Sequence, residues 1–398
     1  MPILGAVQFG DEAKSSLKPM IIGLFTELAN VGGAQLAGRQ TAAALTKIGK
    51  ERGWPCVFLS LNDILGKQQL CAADTLFSFR GFGRRKAQFV IQAMRLAMRK
   101  PQLIFAAHPN LAPTALVLKM MARNTPIIVG AHGIEVWQPL PFIRRTAFRR
   151  ADLIMVPSTY TLEKTVQAQR VSPSKMRKIP WPLDTEFLAL SECPANLPLP
   201  LPYPHGTVVL SVGRWSSAER YKGADILIRA VAQLSEKFPN LHVVLAGPGD
   251  DIDRLRNEAQ DSGVAERVHL FPSISRKELA ALYSRADIFS LPSTGEGFGL
   301  VFLEAMAFGK AIVGANAGGV PDVVQHEREG LLVAPTVEAV SSALRRLLSD
   351  PLLRKELGMQ GRERVRTEFS FAQFQTQLSG AIDLLTAKNQ QHKKSVTA

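Results

Sequence analysis

Short, almost wholly apolar runs recur along the chain and alternate with longer stretches whose apolar residues follow a helical spacing. A strand with one face in water alternates apolar and polar residues, whereas a strand covered by helices on both faces is apolar throughout. The runs in the first half span residues 20–26, 55–61, 103–108, 126–132 and 153–158. Those in the second half span residues 207–213, 241–247, 267–271, 288–293, 311–316 and 330–333. The pattern predicts an α/β protein with two doubly wound parallel sheets.

A proline-rich segment separates the two halves. Residues 193–206 (CPANLPLPLPYPHG) contain five prolines in fourteen positions, which excludes a helix or a central strand and favours a stiff, extended linker. We therefore predict an N-terminal domain over residues 1–200 and a C-terminal domain over residues 207–370, facing each other across a cleft. A helix over residues 371–387 is expected to pack back on the first domain, before a polar, flexible tail at residues 388–398.

Composition excludes some classes of protein. Hydrophobic residues make up 46% and charged residues 21% of the chain, as in globular proteins, so disorder is not expected. Apolar runs stay shorter than the ~18 residues that span a bilayer, and residues 1–9 lack the basic start of a secretory signal. Three widely spaced cysteines, Cys56, Cys71 and Cys193, are typical of reduced thiols rather than of disulfides or a metal site. These features predict a cytoplasmic protein.

Positive charge is concentrated in the first half. The chain carries a formal net charge of +14, and residues 1–200 hold 25 Lys and Arg against 12 Asp and Glu. A basic half can bind nucleic acid, an anionic membrane surface or a phosphorylated substrate. Nucleic-acid-binding modules add aromatic platforms or a recognisable motif to their basic residues, and this sequence has neither. We therefore expect no nucleic-acid partner.

The clearest ligand-binding pattern lies at residues 293–309, STGEGFGLVFLEAMAFG. Glu304 is the single ionisable residue of an apolar helical run, and a lone buried carboxylate is costly unless a polar group pairs with it. Eight residues earlier, Glu296 lies among three glycines that let the backbone approach a ligand and aim helix amides at an anion. The segment predicts a site for a phosphorylated, hydroxyl-rich ligand. The alternative is a core helix in which Glu304 caps a neighbouring loop.

Three further turns follow predicted strands, where the ligands of open α/β sheets collect. One carries Arg214 and Lys222, whose cationic groups suit a phosphate, and another carries Gly33 in a Gly-Gly turn. In the third, His132 ends a strand, and His108 has the same placement on another strand. Each feature alone also fits an ordinary loop or a structural histidine, and their shared position at strand ends favours a site. Because no HExxH, CxxC or acidic cluster accompanies the histidines, we expect no metal.

In their order along the chain, these features resemble glycosyltransferase family 4, whose members are retaining enzymes with the GT-B fold of two Rossmann-like domains. The resemblance covers about residues 20–385, and it is most specific at residues 296–305 (EGFGLVFLEA) and 213–223, which begin with GR and end with KG. Residues 131–137 (AHGIEVW) are similar to bacterial mannosyltransferases. The resemblance implies transfer of a hexose from a nucleotide diphosphate sugar, GDP-mannose or UDP-glucose, to a glycan or lipid-linked acceptor. It implies no metal and no other cofactor.

The resemblance also implies roles for individual residues. Glu296 would hold hydroxyls of the transferred sugar, and Glu304 would hold those of the nucleotide ribose. Arg214 and Lys222 would bind the diphosphate and stabilise it as it departs, while His132 would lie beside the donor sugar near the reacting carbon. Main-chain amides would complete the phosphate site, from Gly33 in the first domain and from Gly297, Phe298, Gly299 and Leu300 in the second. His132 and Glu296 are then the catalytic candidates.

Three departures from the family pattern are visible. Residues 268–272 (VHLFP) replace the V-x-F-x-G strand that meets the nucleobase, so no base contacts are predicted there. The spacing from Arg214 to Lys222 is longer than usual, which leaves the path of residues 215–221 open. Residues 318–322 (GGVPD) resemble the GG-x-P-E turn of the family, with Asp in place of Glu.

Two basic clusters in the first half have apolar companions such as Met98 and Phe142. The first cluster contains Arg80, Arg84, Arg85, Lys86, Arg95, Arg99 and Lys100, and the second contains Arg144, Arg145, Arg149 and Arg150. Basic amphipathic segments can lie on anionic lipid, and family members take the acceptor on the N-terminal domain. We therefore expect peripheral attachment to the inner face of the membrane. The alternative is that both clusters are solvated faces of helices that cover the sheet.

Two other functions stay open on the sequence. A nucleotide-sugar epimerase of the same two-domain architecture would bind the same donor. A basic nucleic-acid-binding protein is suggested by charge alone.

Overall fold

The computed structural model describes residues 19–30 and 32–397, which form two α/β domains. Residues 1–18, which include the segment considered for a secretory signal, and residue 398 of the predicted tail lie outside this part. The strands of the N-terminal domain are β1 (Ile21–Phe25), β2 (Cys56–Ser60), β3 (Gly66–Ala72), β4 (Thr75–Gly81), β5 (Leu103–Ala106), β6 (Ile127–Gly130), β7 (Leu153–Val156) and β8 (Met176–Lys178). Its helices are α1 (Gly33–Glu51), α2 (Lys86–Ala97), α3 (Ala112–Met121), α4 (Ile134–Trp137), α5 (Phe142–Arg149), α6 (Thr159–Gln169) and α7 (Thr185–Glu192).

The N-terminal sheet has the strand order β3-β4-β2-β1-β5-β6-β7-β8, and β3 with β4 is its antiparallel pair. The five strands predicted in this half are present as β1, β2, β5, β6 and β7, whereas β3, β4 and β8 were not predicted. Half-buried and exposed residues alternate along β3, and buried and less buried residues alternate along β4, so neither strand has the continuous apolar run of a central strand. The antiparallel pair at this edge was therefore not predicted, while the other strands of the sheet pair in parallel as predicted.

The C-terminal domain contains a six-stranded, wholly parallel sheet with the order β11-β10-β9-β12-β13-β14. Its strands are β9 (Thr207–Val212), β10 (Leu241–Ala246), β11 (Val268–Phe271), β12 (Ile288–Leu291), β13 (Ala311–Ala315) and β14 (Gly330–Val333). Its helices are α8 (Ala224–Ala232), α9 (Ile252–Asp261), α10 (Arg276–Arg285), α11 (Leu300–Ala307), α12 (Val320–Val323), α13 (Val337–Ser349) and α14 (Pro351–Glu368), followed by α15 (Phe371–Thr397). All six predicted strands are present, and the fold class of two doubly wound α/β domains is confirmed.

The chain crosses between the domains ahead of the proline-rich segment. Helix α7, which the sequence placed in the first domain, packs on the second. The ring of Phe187 in α7 is fully buried and lies 5.8 Å from that of Tyr283 and 5.6 Å from that of Phe308. After α7, the linker forms one short 3-10 turn at Pro194–Asn196 before β9 begins.

The last helix, α15, packs on α1 of the first domain. Arg52 in the turn that ends α1 forms an ion pair with Asp383 at 2.9 Å and donates a hydrogen bond to Oγ of Ser379 at 2.7 Å. The backbone of α15 stays helical as far as Thr397, where the sequence predicted a flexible tail from residue 388. Residues 388–397 contain no proline or glycine and several good helix formers, so no residue in them ends the helix.

A buried ion pair joins α14 to the segment that precedes β14. Nη1 of Arg364 lies 3.1 Å from Oε2 of Glu329, and 7% and 0% of the two side chains are exposed. In the Arg364→Met variant, the buried Glu329 carboxylate loses its buried cation and keeps only the more exposed Arg328 and the N–H of Gln325 as partners among the described residues. We expect the free energy of unfolding of the C-terminal domain to fall by about 3–5 kcal/mol, as judged from urea unfolding curves.

The matched control for this prediction is Arg346→Met. Arg346 pairs with Glu327 at the surface, and both side chains are about half exposed. We expect this variant to lose less than about 1 kcal/mol. Equal losses in the two variants would contradict the prediction.

Candidate functional site

Turns from the two domains meet across the cleft. His132 and Gly133 follow β6, and the segment 293–299, called here the glycine loop, follows β12. The main chains of the two turns are in contact. A methyl group added to Gly133 would lie 2.9 Å from Cα of Gly297, so no side chain fits between them. A methyl group on Gly33, the first residue of α1, would lie 3.7 Å from a terminal carbon of Leu300. The structure thus brings together predicted site residues from opposite domains.

Lys222 and Glu296 are in direct contact in the wall of the second domain. Nζ of Lys222 lies 2.9 Å from Oε1 of Glu296 and 3.6 Å from Oε2 of Glu219. Both partners are largely buried, since 13% of the Lys222 side chain and 14% of the Glu296 side chain are exposed. Burial opposes the charge of Lys222, but the charge and the hydrogen bond of Glu296 raise the pKa of Lys222 above its ordinary value. The ammonium group therefore stays charged.

Arg214 reaches the same group of charges from the rim of the cleft. Its guanidinium lies 3.4 Å from Oε1 of Glu219, and 65% of its side chain is exposed. The path between Arg214 and Lys222, which the sequence left open, is a compact turn that contains the 3-10 helix Ser217–Lys222. This turn ends at Gly223, whose φ of +70° is a conformation that glycine adopts without strain. The turn returns Lys222 to the end of β9, beside Arg214.

The glycine loop leads directly into α11. Gly299 has a φ of +91° and precedes the first residue of the helix, Leu300. The N–H groups of a first helical turn have no intrahelical partners, so this turn presents amides suited to an anion. The ring of Phe298, however, is buried and lies 5.9 Å from that of Phe369. Phe298 can therefore contact a ligand only through its main chain, because its side chain is buried.

Glu304 lies one turn into α11, with its carboxyl group enclosed and the residue as a whole half-buried. The hydroxyl of Tyr283 in α10 donates a hydrogen bond to Oε2 of Glu304 at 2.9 Å. Burial raises the pKa of Glu304 to about 7, against the opposing effects of this hydrogen bond and of the positive charge of Arg276. The polar partner expected from the lone carboxylate is present, and it is a side chain rather than a loop end. No sequence signal pointed to Tyr283, because its place in a helical pattern is that of a core residue.

His132 is held between a carbonyl group and an aromatic ring. Its Nε2 lies 2.9 Å from the carbonyl oxygen of Ala107, so this nitrogen carries the hydrogen that it donates there. The ring stacks on Trp181 with centroids 5.2 Å apart and planes inclined by 23°. Its main-chain N–H donates to the carboxylate of Glu135. Trp181, between two prolines, was missed by sequence reasoning.

His108 belongs to the same stack, with its ring centroid 6.1 Å from that of His132. Burial lowers the pKa of His108 to about 4, and the charges of His132 and Arg144 act in the same direction against that of Glu135. His108 is therefore uncharged at neutral pH, and its Nδ1 accepts a hydrogen bond from the N–H of Asn110 at 3.1 Å.

Among residues 19–30 and 32–397, no three His, Cys, Asp or Glu side chains are grouped as a metal site would need. The independence from metal ions and other cofactors stays a prediction.

The chain matches known proteins in both halves. Residues 202–364 match the family model of glycosyl transferases group 1, and residues 50–187 match that of glycosyltransferase family 4. A GDP-mannose-dependent alpha-(1-6)-phosphatidylinositol monomannoside mannosyltransferase of Mycolicibacterium smegmatis is 34% identical over 63% of this chain and 69% of that relative. A D-inositol 3-phosphate glycosyltransferase of Corynebacterium glutamicum is 33% identical over 58% of this chain and 56% of that relative.

Solved structures show the same architecture. The sucrose-phosphate synthase of Thermosynechococcus elongatus is similar with a TM-score of 0.73 and 25% identity, over 93% of this chain and 100% of that chain. Anabaena HepE in complex with UDP has a TM-score of 0.69 and 19% identity, over 92% of this chain and 99% of that chain, and it shares the fold.

The raised pKa of Glu304 gives a prediction about stability. In the folded protein this pKa is about 7, above the ordinary 4.5, so between these values the unfolded chain releases a proton that the folded chain keeps. The carboxylate therefore lowers the free energy of unfolding progressively as pH rises through this window. We expect Glu304→Gln to be more stable than wild type by up to about 3 kcal/mol at pH 8 and by less than about 1 kcal/mol at pH 5. Urea unfolding at the two pH values tests this, and a variant less stable than wild type at pH 8 would contradict it.

Proposed function

This chain belongs to glycosyltransferase family 4, and from this we propose that it transfers a hexose, with retention of anomeric configuration and without a metal ion, from a nucleotide diphosphate sugar to a lipid-linked acceptor. The donor that we propose is GDP-mannose, and UDP-glucose is the alternative. A relative with 34% identity carries GDP-mannose and phosphatidylinositol monomannoside in its name, and another carries inositol 3-phosphate, which supports a phosphoinositol-containing acceptor.

The contact between Lys222 and Glu296 carries this proposal. It places a cation suited to phosphate 2.9 Å from a carboxylate suited to sugar hydroxyls. A ligand that satisfies both groups must carry a phosphate next to a polyol. A sugar bonded through its anomeric carbon to a diphosphate has this arrangement.

The other site residues extend the proposed donor site in both directions. Arg214 and the amides of Gly33 and of residues 297–300 bind the diphosphate together with Lys222. Glu304 accepts hydrogen bonds from the ribose hydroxyls. His132 lies beside the hexose, since its neighbour Gly133 touches the glycine loop at Gly297.

The reaction then depends on stabilising the leaving group. The bond from the anomeric carbon to the diphosphate breaks, and the acceptor oxygen bonds to that carbon on the same face. The departing phosphate takes the proton of the acceptor hydroxyl. Lys222, Arg214 and the first-turn amides of α11 stabilise the negative charge that develops on the phosphate, as preorganised donors do in an oxyanion hole. Glu296 holds hexose hydroxyls and is not the nucleophile.

The acceptor side is proposed to be the N-terminal domain, attached to the cytoplasmic face of a membrane. Helix α3 lies between α2 and α5, and the three helices carry exposed Ile91, Met120, Phe142 and Ile143. In the described part of the chain, none of the eleven basic residues of the two clusters forms an ion pair with a carboxylate. Unpaired cations beside exposed apolar side chains suit an anionic lipid surface. No helix of the described residues is long and apolar enough to cross a membrane.

The proposed transfer is tested by following nucleotide release. We expect release of GDP from GDP-mannose to depend on an added phosphatidylinositol acceptor, and UDP-glucose and ADP-glucose to be weaker donors. Glu304→Ala should weaken GDP-mannose binding about tenfold or more in calorimetry, because it removes a charged hydrogen-bond acceptor, and should keep a cooperative thermal transition. Glu356→Ala, at an exposed position of α14, is the control and should bind as wild type does.

Two outcomes would contradict this proposal. A new free nucleotide sugar formed without acceptor would indicate an epimerase. Wild-type donor affinity in Glu304→Ala would remove Glu304 from the ribose site.

Membrane attachment is tested by co-sedimentation with vesicles that contain phosphatidylserine. We expect binding that falls as salt rises, and a loss of about tenfold or more in Phe142→Ser/Ile143→Ser, because two exposed apolar side chains no longer enter the interface. Leu352→Ser is the matched control, since Leu352 is 80% exposed on the other domain while Phe142 is 76% exposed. Wild-type protein that stays in the supernatant at low salt would contradict the attachment.

A further inference from the structure

The amino end of α6, in the first domain, is bound by the glycine loop of the second domain. Ser158, which precedes α6, accepts a hydrogen bond from the N–H of Thr161 at 3.1 Å and so caps the helix. The same hydroxyl donates to the carbonyl oxygen of Gly297 at 2.6 Å. The hydroxyl of Thr161 donates to this carbonyl at 3.2 Å. The helix cap therefore also holds the glycine loop.

Asp322 binds the same helix end from a second turn of the C-terminal domain. Its carboxylate accepts hydrogen bonds from the N–H and the hydroxyl of Thr159, at 2.8 and 2.7 Å. It also forms an ion pair with Lys178, at 2.9 Å, and 10% of its side chain is exposed. An anion at the amino end of a helix is favoured by the helix dipole. All three contacts cross from one domain to the other.

The turn that carries Asp322 is joined to the main chain of Glu296. The N–H of Gly319 donates to the carbonyl oxygen of Glu296 at 2.7 Å. A displacement of Asp322 from α6 would therefore shift the glycine loop against His132 and Gly133. Among the ion pairs of the described residues, Asp322 is paired with Lys178 and not with Lys222 or Arg214, the cations proposed for the donor phosphate.

We propose that Asp322, together with Thr159 and Lys178, is a positioning residue for the transfer reaction, which holds the two domains so that Glu296 and His132 face the same hexose. This inference rests on the proposed function, because it concerns the geometry of the reacting groups.

The first test separates catalysis from donor binding. In the full chain, we expect Asp322→Ala to lower kcat for acceptor-dependent GDP release by about tenfold to a hundredfold, as misplacement of reacting groups does. The Kd for GDP should change by less than about threefold, because the proposed phosphate and ribose contacts lie mainly within the C-terminal domain. Asp253→Ala is the control, since Asp253 pairs with Arg256 within α9 and 91% of its side chain is exposed.

A double-mutant cycle tests whether Asp322 acts through Thr159. If the two side chains act as one contact, Thr159→Val should lower kcat in the wild-type background but add little in the Asp322→Ala background. Small-angle scattering with GDP present should show a larger radius of gyration for Asp322→Ala than for wild type or Asp253→Ala.

Three results would overturn the inference. These are an unchanged kcat in Asp322→Ala, a loss of GDP affinity as large as the loss of kcat, and an unchanged radius of gyration. The scattering measurement needs no turnover. If the wild-type protein transferred no sugar from any donor, the proposed function would fail, and the scattering result would still decide whether Asp322 holds the domains together.

Discussion

The two domains meet at the site in a close contact of main chain with main chain, and this contact constrains where the other groups of the site can lie. A methyl group on Gly297 would approach the carbonyl oxygen of His132 to 2.5 Å, and one on Gly133 would approach Cα of Gly297 to 2.9 Å. Real Cβ atoms do not come so close to other heavy atoms, so a side chain at either position would push the turns apart. Glycine at both positions brings the end of a strand in one domain against the start of a helix in the other. The cleft is therefore narrow enough for both domains to contact one small ligand.

The charged side chains in this cleft are arranged to bind a ligand rather than to stabilise a protein core. Lys222 and Glu296 neutralise each other while largely buried, and Glu219 links Lys222 to Arg214 at the rim. The pair is replaceable, because a phosphate can take over the ammonium group while hydroxyls take over the carboxylate. Glu304 is different, since among the described residues its carboxylate has the hydroxyl of Tyr283 and no cation at hydrogen-bond distance, and burial raises its pKa to about 7. A carboxylate held under this penalty is typical of a functional site.

The sequence predicted the central strands well for a simple physical reason. Strands covered by helices on both faces must be apolar throughout, and all eleven runs of this kind became strands. The hairpin of β3 and β4 escaped prediction because its residues alternate in burial at the edge of the sheet. Helix α15 extends beyond residue 387, because the polar residues that suggested a tail include none that prevents a helix. The family could be assigned from short motifs at strand ends. Each motif is a run of neighbouring residues, so it can be recognised without knowing what distant parts of the chain do.

The sequence by itself determined the central parallel strands of the two sheets and the turns at their ends that carry the candidate site residues, because burial, backbone freedom and charge are local properties of those segments. Only the tertiary structure decided which of these residues touch. It paired Lys222 with Glu296 across 74 positions, gave Glu304 the hydroxyl of Tyr283, and laid Trp181 on His132. It also turned Asp322, one residue in a family-like turn, into a contact between domains. Such contacts join residues that are far apart in the chain. They depend on how folded elements pack within each domain and, for Asp322, on how the two domains lie against each other, so the sequence shows no periodic pattern for them.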